Sequence, residues 1–336
     1  MKAIKFGMIV CLAVTLFSMP MMAVNAAEKV YTIKFATSHP PMIPSGSIPQ
    51  ELEKVISEKT NGRVKFIAYL GSSLCGDYDA PQQLQAGAIE MCYGGYNMSA
   101  ISPGWNAVAG MPFILDSYDH FLRFSETDAF KALISNMEDK GIKHVAHCGH
   151  PGFANAFNSV RAVKSLEDFK GLKMRIPPIP GLNKMCQRMG IQNVTVNMAE
   201  VSTALQTGVA DGAFAPILKL KGYDLIRNAP HGTLCNASIV PLTFVANAKF
   251  WNSLPQDLQK ILHDVFEEYG KKEKEQLRQM DDKFWEIFNS SPDTTFSEIK
   301  GDEKKRWQTM ARPIWEEEKQ KSEEARMVID AIESTR

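Results

Sequence analysis

The 336-residue sequence has no charge of one sign to spare, because 38 Lys and Arg balance 38 Asp and Glu. Recognition of nucleic acid or of an anionic membrane by an overall basic field is therefore excluded. Charge recognition must be local, at one or two residues inside a site. A disulfide framework is missing too. Of the 6 Cys, Cys11 lies near the start, and Cys75, Cys92, Cys148, Cys186 and Cys235 form no C-x-x-C pair. An odd number cannot all be bridged within one chain, and a chain of this length can bury a sufficient core without staples. The five are read as buried small hydrophobes, and the choice of any single bridge stays open. The sequence also lacks G-x-G-x-x-G, G-x-x-x-x-G-K-[ST], H-E-x-x-H and G-x-S-x-G, and with them the commonest nucleotide-binding and hydrolytic signatures. It has no internal repeat and no low-complexity stretch. With 44% hydrophobic and 23% charged residues, its composition is that of a globular protein and excludes disorder, collagen and coiled coil.

What is present begins with a leader. Lys2 and Lys5 precede an apolar run from Met8 to Val24, interrupted by Pro20, and Val24-Asn25-Ala26 places small residues where a signal peptidase reads. The run is too short and too interrupted for a stable membrane span, and Cys11 sits mid-run rather than at a lipoprotein cleavage point. Residues 1–26 are expected to be a cleaved secretory signal. The mature chain, starting at Ala27, loses two lysines and carries a formal charge of −2. The protein is expected to be exported and soluble.

Val30 to Ala36 alternates as a strand, and Thr37-Ser38-His39-Pro40-Pro41 reads as a loop. A helix with Leu52, Val55 and Ile56 on one face ends near Asn61-Gly62, before a strand from Val64 to Tyr69. Pro81 opens a helical stretch, and Ile89 to Tyr93 reads as a buried strand. A helix around 126–140, a strand around 143–148, a short helix from Ser165, a strand from Leu172 to Ile176, a helix over 181–189 and a strand over 193–196 continue the alternation. The pattern predicts an α/β fold with largely parallel sheets. From about residue 255 helical spacing takes over (Leu258, Ile261, Leu262, Val265, Phe266, then Leu277, Met280, Phe284, Ile287), and the tail is expected to be helical with no further strand.

Two clusters carry chemistry. His144-Val-Ala-His147-Cys148-Gly-His150 tempts a metal assignment. On a regular strand, however, His144, Cys148 and His150 would face one way and His147 the other, so four ligands would not converge. The segment Ser165-Leu-Glu-Asp-Phe-Lys-Gly-Leu-Lys-Met-Arg175-Ile-Pro177 is more informative. Ser165 with Asp168 caps a one-turn helix that stops at Gly171, and a short strand delivers Arg175 to its carboxyl end, where prolines fix the exit. In open α/β sheets ligands bind outside the carboxyl ends of strands. A guanidinium there can grip an oxyanion through two parallel hydrogen bonds.

This segment, followed by Met198-Ala-Glu200…Ala-Leu205-Gln-Thr-Gly208…Asp211-Gly212, resembles the substrate-binding proteins of TRAP (tripartite ATP-independent periplasmic) transporters, the DctP-like C4-dicarboxylate-binding family. The likeness extends over the mature chain, through Ile33 to Ser38, Gln83 to Glu90 and Leu254 to Ile261. It implies a two-domain periplasmic binding protein of the Venus-flytrap kind, with mostly parallel sheets, crossing strands, a long hinge-spanning helix and a helical C-terminus. Residues 27–152 plus about 241–280 would form domain I, and 153–240 plus about 281–336 domain II. Arg175 matches the arginine with which family members hold the substrate carboxylate. Asn155 stands where many members have a second arginine, Met198 where some relatives have Phe, and Phe214-Ala215 where an Asn often precedes the proline. The resemblance thus implies that the anion grip is kept while the far side of the pocket is remodelled, leaving room for a monocarboxylate, keto acid or small sulfonate. Ser38, His39, Tyr96 and Asn97 fall in the matching pocket loops of the first domain.

The expected function is capture of a small organic anion and its delivery to the small and large TRAP membrane permease subunits. The resemblance implies a monomer with no cofactor, no catalysed reaction and no nucleic-acid partner. The rival readings are a periplasmic enzyme that orients an acid substrate on Arg175, and a metal-binding protein using His144, His147, Cys148 and His150.

Overall fold

The computed structural model describes residues 29–336 except Asp77, Pro151 and Asp224, together with every side chain in that range but that of Tyr96. The expected leader, residues 1–26, lies outside the described residues. Among the described residues, eleven strands form two sheets. The first contains β1 (Tyr31–Ala36), β2 (Val64–Tyr69), β3 (Met91–Gly94), β4 (Ile142–His147) and β10 (Thr243–Asn247), in the order β2-β1-β3-β10-β4. The second contains β5 (Phe153–Asn158), β6 (Lys173–Arg175), β7 (Gln192–Val194), β8 (Gly212–Ala215), β9 (His231–Ile239) and β11 (Thr295–Glu298), in the order β11-β9-β5-β8-β6-β7. Among the described residues, five of the nine strand pairings are parallel. The antiparallel ones all involve β5 or β10, the strands next to the crossings between sheets.

Apolar spacing explains most helices. Helix Pro44–Lys59 starts with proline in its first turn and buries Ile48, Leu52 and Ile56 against β1 and β2. Helices Tyr118–Ser125 and Asp128–Asp139 are each capped by a hydroxyl, Ser117 Oγ accepting from His120 N and Thr127 Oγ1 from Phe130 N. They bury Phe121, Phe124, Phe130 and Leu133. The helix Gln256–Ser290 runs for 35 residues. Its first half places Leu258, Leu262, Val265 and Phe266 in the core beneath the first sheet, and its second half packs Phe284, Trp285 and Phe288 against Phe157 of the second. The C-terminal helices Gly301–Lys319 and Glu323–Ser334 bury Trp307, Ile314, Trp315, Val328 and Ile329 in the largest core.

The two sheets are joined by crossing segments that lie side by side. Cys148 N donates to Leu242 O at 2.9 Å and Leu242 N to Gly149 O at 3.0 Å, linking the β4–β5 and β9–β10 connections. The long helix presses on the same place. A Cβ on Gly270 would sit 2.0 Å from His147 O, so only glycine allows the helix so close.

Two expectations need correction. The tail does hold a strand: β11 pairs in parallel with β9 at the sheet edge, where Thr295-Phe296-Ser297-Glu298 alternates after a turn containing Pro292. The flanking run of Lys and Glu masks this short alternation. The other concerns His144 and His147, which do not face opposite ways. A register shift between Phe244 and Val245 leaves Val145 as the extra residue of a bulge on β4, and the two imidazole centroids come within 4.8 Å.

Candidate ligand-binding cleft

The short segments that end β6 and β8 carry the most distinctive side chains. Asp168 Oδ2 accepts from Lys164 N, Ser165 N and Ser165 Oγ at 2.9–3.1 Å, closing the turn expected from the sequence. Gly171 ends it at φ +82°, a conformation glycine adopts without strain. Along β6, Met174 is buried in the core and Arg175 follows as its last residue, paired with Val194 and Ala213. Arg175 is only 4% exposed. Its Nε donates to Val196 O at 3.2 Å, and its Nη2 to Tyr78 Oη at 3.1 Å. These contacts fix the plane of the guanidinium.

Arg175 lines a cavity of about 60 Å³ that takes walls from both sheets. The second sheet contributes Arg175 with Pro177 and Ile179 after β6, and Phe214, Ala215, Pro216 and Lys219 at and beyond β8. The first sheet contributes His39 after β1, and Tyr93, Gly95 and Asn97 at β3 and the loop following it. Gly152, Ala154, Ser238, Val240 and Leu242 come from the crossing segments and the strands they join. The site therefore sits at carboxyl ends of strands, with a short helix, Ile217–Gly222, beginning just after β8.

Of the side chains anticipated from the sequence, Arg175, His39, Asn97, Phe214 and Ala215 meet in this cavity. Asn97 also braces its own loop, accepting from Gly95 N at 2.8 Å and donating to Tyr93 O at 3.2 Å. Phe214 stacks on Phe169 at 5.8 Å between centroids. Three others are placed elsewhere. Asn155 Oδ1 accepts from Cys235 N and Asn236 N at 2.8 Å each, so this amide is used to hold a bulge of β9 against β5. Met198 packs in the small core with Val201 and Phe288. Ser38 presents its carbonyl to Tyr223 Oη at 2.6 Å rather than a side chain to the cavity. The Tyr96 side chain lies outside the described residues.

Sequence reasoning missed Tyr93, Lys219, Ser238, Val240 and Leu242. Tyr93 packs edge-on to Phe35 and tilted to His39, and its hydroxyl donates to Glu273 Oε2 at 2.7 Å on the long helix. Burial pushes the Glu273 carboxyl up to about 8, so it is largely protonated at neutral pH. Burial, then the nearby Glu273, pushes the Tyr93 phenol well above its usual 10. On the same helix, burial and then Asp282 raise Asp281 to about 7. It stands beside Gly152, where a Cβ would lie 2.4 Å from Asp281 Oδ1.

The histidine cluster does not form a metal centre. Among the described residues no group of three or more His, Cys, Asp or Glu side chains is placed to hold a metal ion. Burial instead pushes His144 down to about 3 and His147 and His150 to about 4, and Phe121 and Phe130 pack around the first pair. No helix among the described residues is long and apolar enough to cross a membrane.

Comparison with known proteins gives this geometry its context. The C4-dicarboxylate-binding periplasmic protein DctP of Rhodobacter capsulatus is 26% identical over 302 residues, covering 88% of this chain and 89% of that protein. A TRAP periplasmic solute-binding protein from Roseobacter denitrificans, solved with bound β-D-glucuronate, superposes with a TM-score of 0.85 at 21% identity, over 91% of this chain and 100% of that one. Another from Shewanella oneidensis, solved with bound succinate, gives 0.84 at 21% identity, over 91% and 99%. Two sheets joined by crossing strands and a long helix are thus the periplasmic binding-protein fold. A family model, DctP, bacterial extracellular solute-binding protein family 7, matches residues 35–321, and the chain belongs to that family.

Proposed function

We propose that the chain is the periplasmic binding component of a TRAP transporter, that it captures a short organic carboxylate, and that it delivers this to the membrane permease subunits. The observation that carries the reading is Arg175, a buried guanidinium at a strand's carboxyl end, lining a cavity with walls from both sheets. A buried cation without an anion is costly, and a carboxylate entering the cleft offsets that cost through charge-assisted hydrogen bonds. The relatives point to the same chemistry, since the Rhodobacter protein is named for C4-dicarboxylates and the two solved proteins hold a uronate and succinate.

In this reading residues 27–152 with about 241–280 form one closing body, and 153–240 with about 281–336 the other. A ligand that touches Arg175 and Phe214 on one side and His39, Tyr93 and Asn97 on the other makes all its contacts only when the bodies meet. It favours the closed state by that differential affinity. The leader directs export and is removed.

A thermal-shift screen of protein recovered from the periplasm tests the whole reading. Short mono- and dicarboxylates are expected to raise the melting temperature without being consumed, small sulfonates serving as the comparison anions, and the intact mass should begin at Ala27. Turnover of any acid, or no shift from any of them, defeats it.

A further inference from the structure

Ser238 is 2% exposed, lines the cavity, and its Oγ has no hydrogen-bond partner among the described residues. A buried hydroxyl left unpaired costs about 1–3 kcal/mol. The location is specific. Ser238 is the next-to-last residue of β9, opposite Ala154 of β5, just beyond the register shift between Ala154 and Ala156. Both Ala154 and Ser238 line the cavity. Val240 and Leu242 follow on the same crossing segment, so the serine is a polar point in an apolar wall.

We infer that Ser238 is a specificity-determining residue of this cleft, and that it reads a hydroxyl or oxo oxygen carried by the ligand beside its carboxylate. The inference rests on the reading of Arg175 as the carboxylate's partner. Arg175 and Ser238 line the same cavity, so an oxygen carried beside the acid's carboxylate is the group that satisfies the serine, while Ile179, Phe214 and Val240 offer apolar contact to its carbons. The ligand class is a short hydroxy or oxo acid rather than a plain alkanoate. A site built around such a hydrogen bond discriminates strongly against the analogue lacking it, because its own polar group is left unpaired.

Calorimetry on the full mature chain with two matched pairs, lactate against propionate and malate against succinate, isolates the extra oxygen. The parent protein is expected to bind the hydroxy acid of at least one pair about tenfold or more tightly than its partner. Ser238→Ala should abolish that preference by weakening the hydroxy acid, leaving the plain acid within about twofold. The ligand-free Ser238→Ala protein should melt no lower than the parent, since it loses an unsatisfied buried hydroxyl. A residue with a purely structural role would instead lower the melting temperature. Equal binding within both pairs by the parent, equal weakening of both members in Ser238→Ala, or a destabilised ligand-free variant each overturns the role of Ser238. If none of the four acids binds, or if Arg175→Ala binds them as the parent does, the carboxylate site itself falls, and this inference with it.

Discussion

Arg175 and Arg161 lie fourteen positions apart in one segment and illustrate what the neighbourhood of a side chain decides. Arg175 ends a strand, is buried, and lines the cleft. Arg161 is exposed and donates to Asp168 O and Lys170 O at 2.9 Å each, so its guanidinium ties down the turn before β6. Removing one member of a buried, hydrogen-bonded charge pair costs roughly 2–5 kcal/mol, with about 1.4 kcal/mol per decade of affinity. Arg175→Ala is therefore expected to weaken carboxylate binding on the order of 30- to 3,000-fold. Arg175→Lys should recover part of it, because an ammonium cannot reproduce the planar fork. Arg161→Ala should leave affinity unchanged. Calorimetry on the three folded variants decides the matter; an Arg175→Ala protein within threefold of the parent would mean that the anion is held elsewhere. Arg175 was legible in the sequence because a capped turn, a short strand and prolines surround it. Ser238 was not, since a lone serine in an apolar strand looks like any other until the bulge opposite it is known.

At the scale of elements, the segments whose own periodicity suffices were the readable ones. β1, β2, β7 and the helix Pro44–Lys59 fall within two or three residues of expectation. β9, β10 and β11 were not readable, because partners distant in the chain define them: β10 lies between β3 and β4, and β11 merely extends an edge. The long helix was visible as two apolar series, but its unity depends on Gly270, which lets it pass the crossing at His147. A methyl at Gly270 must displace either the helix or the His147 carbonyl. Gly270→Ala is expected to destabilise the protein by about 1–3 kcal/mol despite alanine's better helix propensity. Lys271→Ala, at an exposed position one residue further on, should change stability by less than about 0.5 kcal/mol. Urea unfolding of the pair checks this, and equal midpoints would show that the crossing has slack.

For the whole molecule, the buried titratable groups set a pH profile from two sides. His144, His147 and His150 have folded values near 3 to 4, below an ordinary 6.5. The unfolded chain binds their protons first, so the stability they allow is present above pH 6.5 and is lost as pH falls toward 4. Glu273, near 8, and Asp281, near 7, work in the opposite sense. Their contribution is present below the ordinary carboxylate range and is lost as pH rises through their folded values. Stability is expected to peak between about pH 4.5 and 6.5 and to decline on both sides. Between pH 6.5 and 8, Glu273 alone accounts for a loss of about 2 kcal/mol. Glu273→Gln, which stays neutral and keeps a partner for Tyr93, should flatten that limb in denaturant titrations at pH 6.5 and 8. An unchanged slope would remove Glu273 from the account. One feature of the topology also governs how the protein is made. Because β10 occupies the place between β3 and β4, the first 242 residues leave two inner strand edges facing an empty slot. β2, β1 and β3 can pair without it, but synthesis and export must deliver Thr243–Asn247 before β4 joins the first sheet, and any nascent or truncated chain ending earlier offers those edges to other strands.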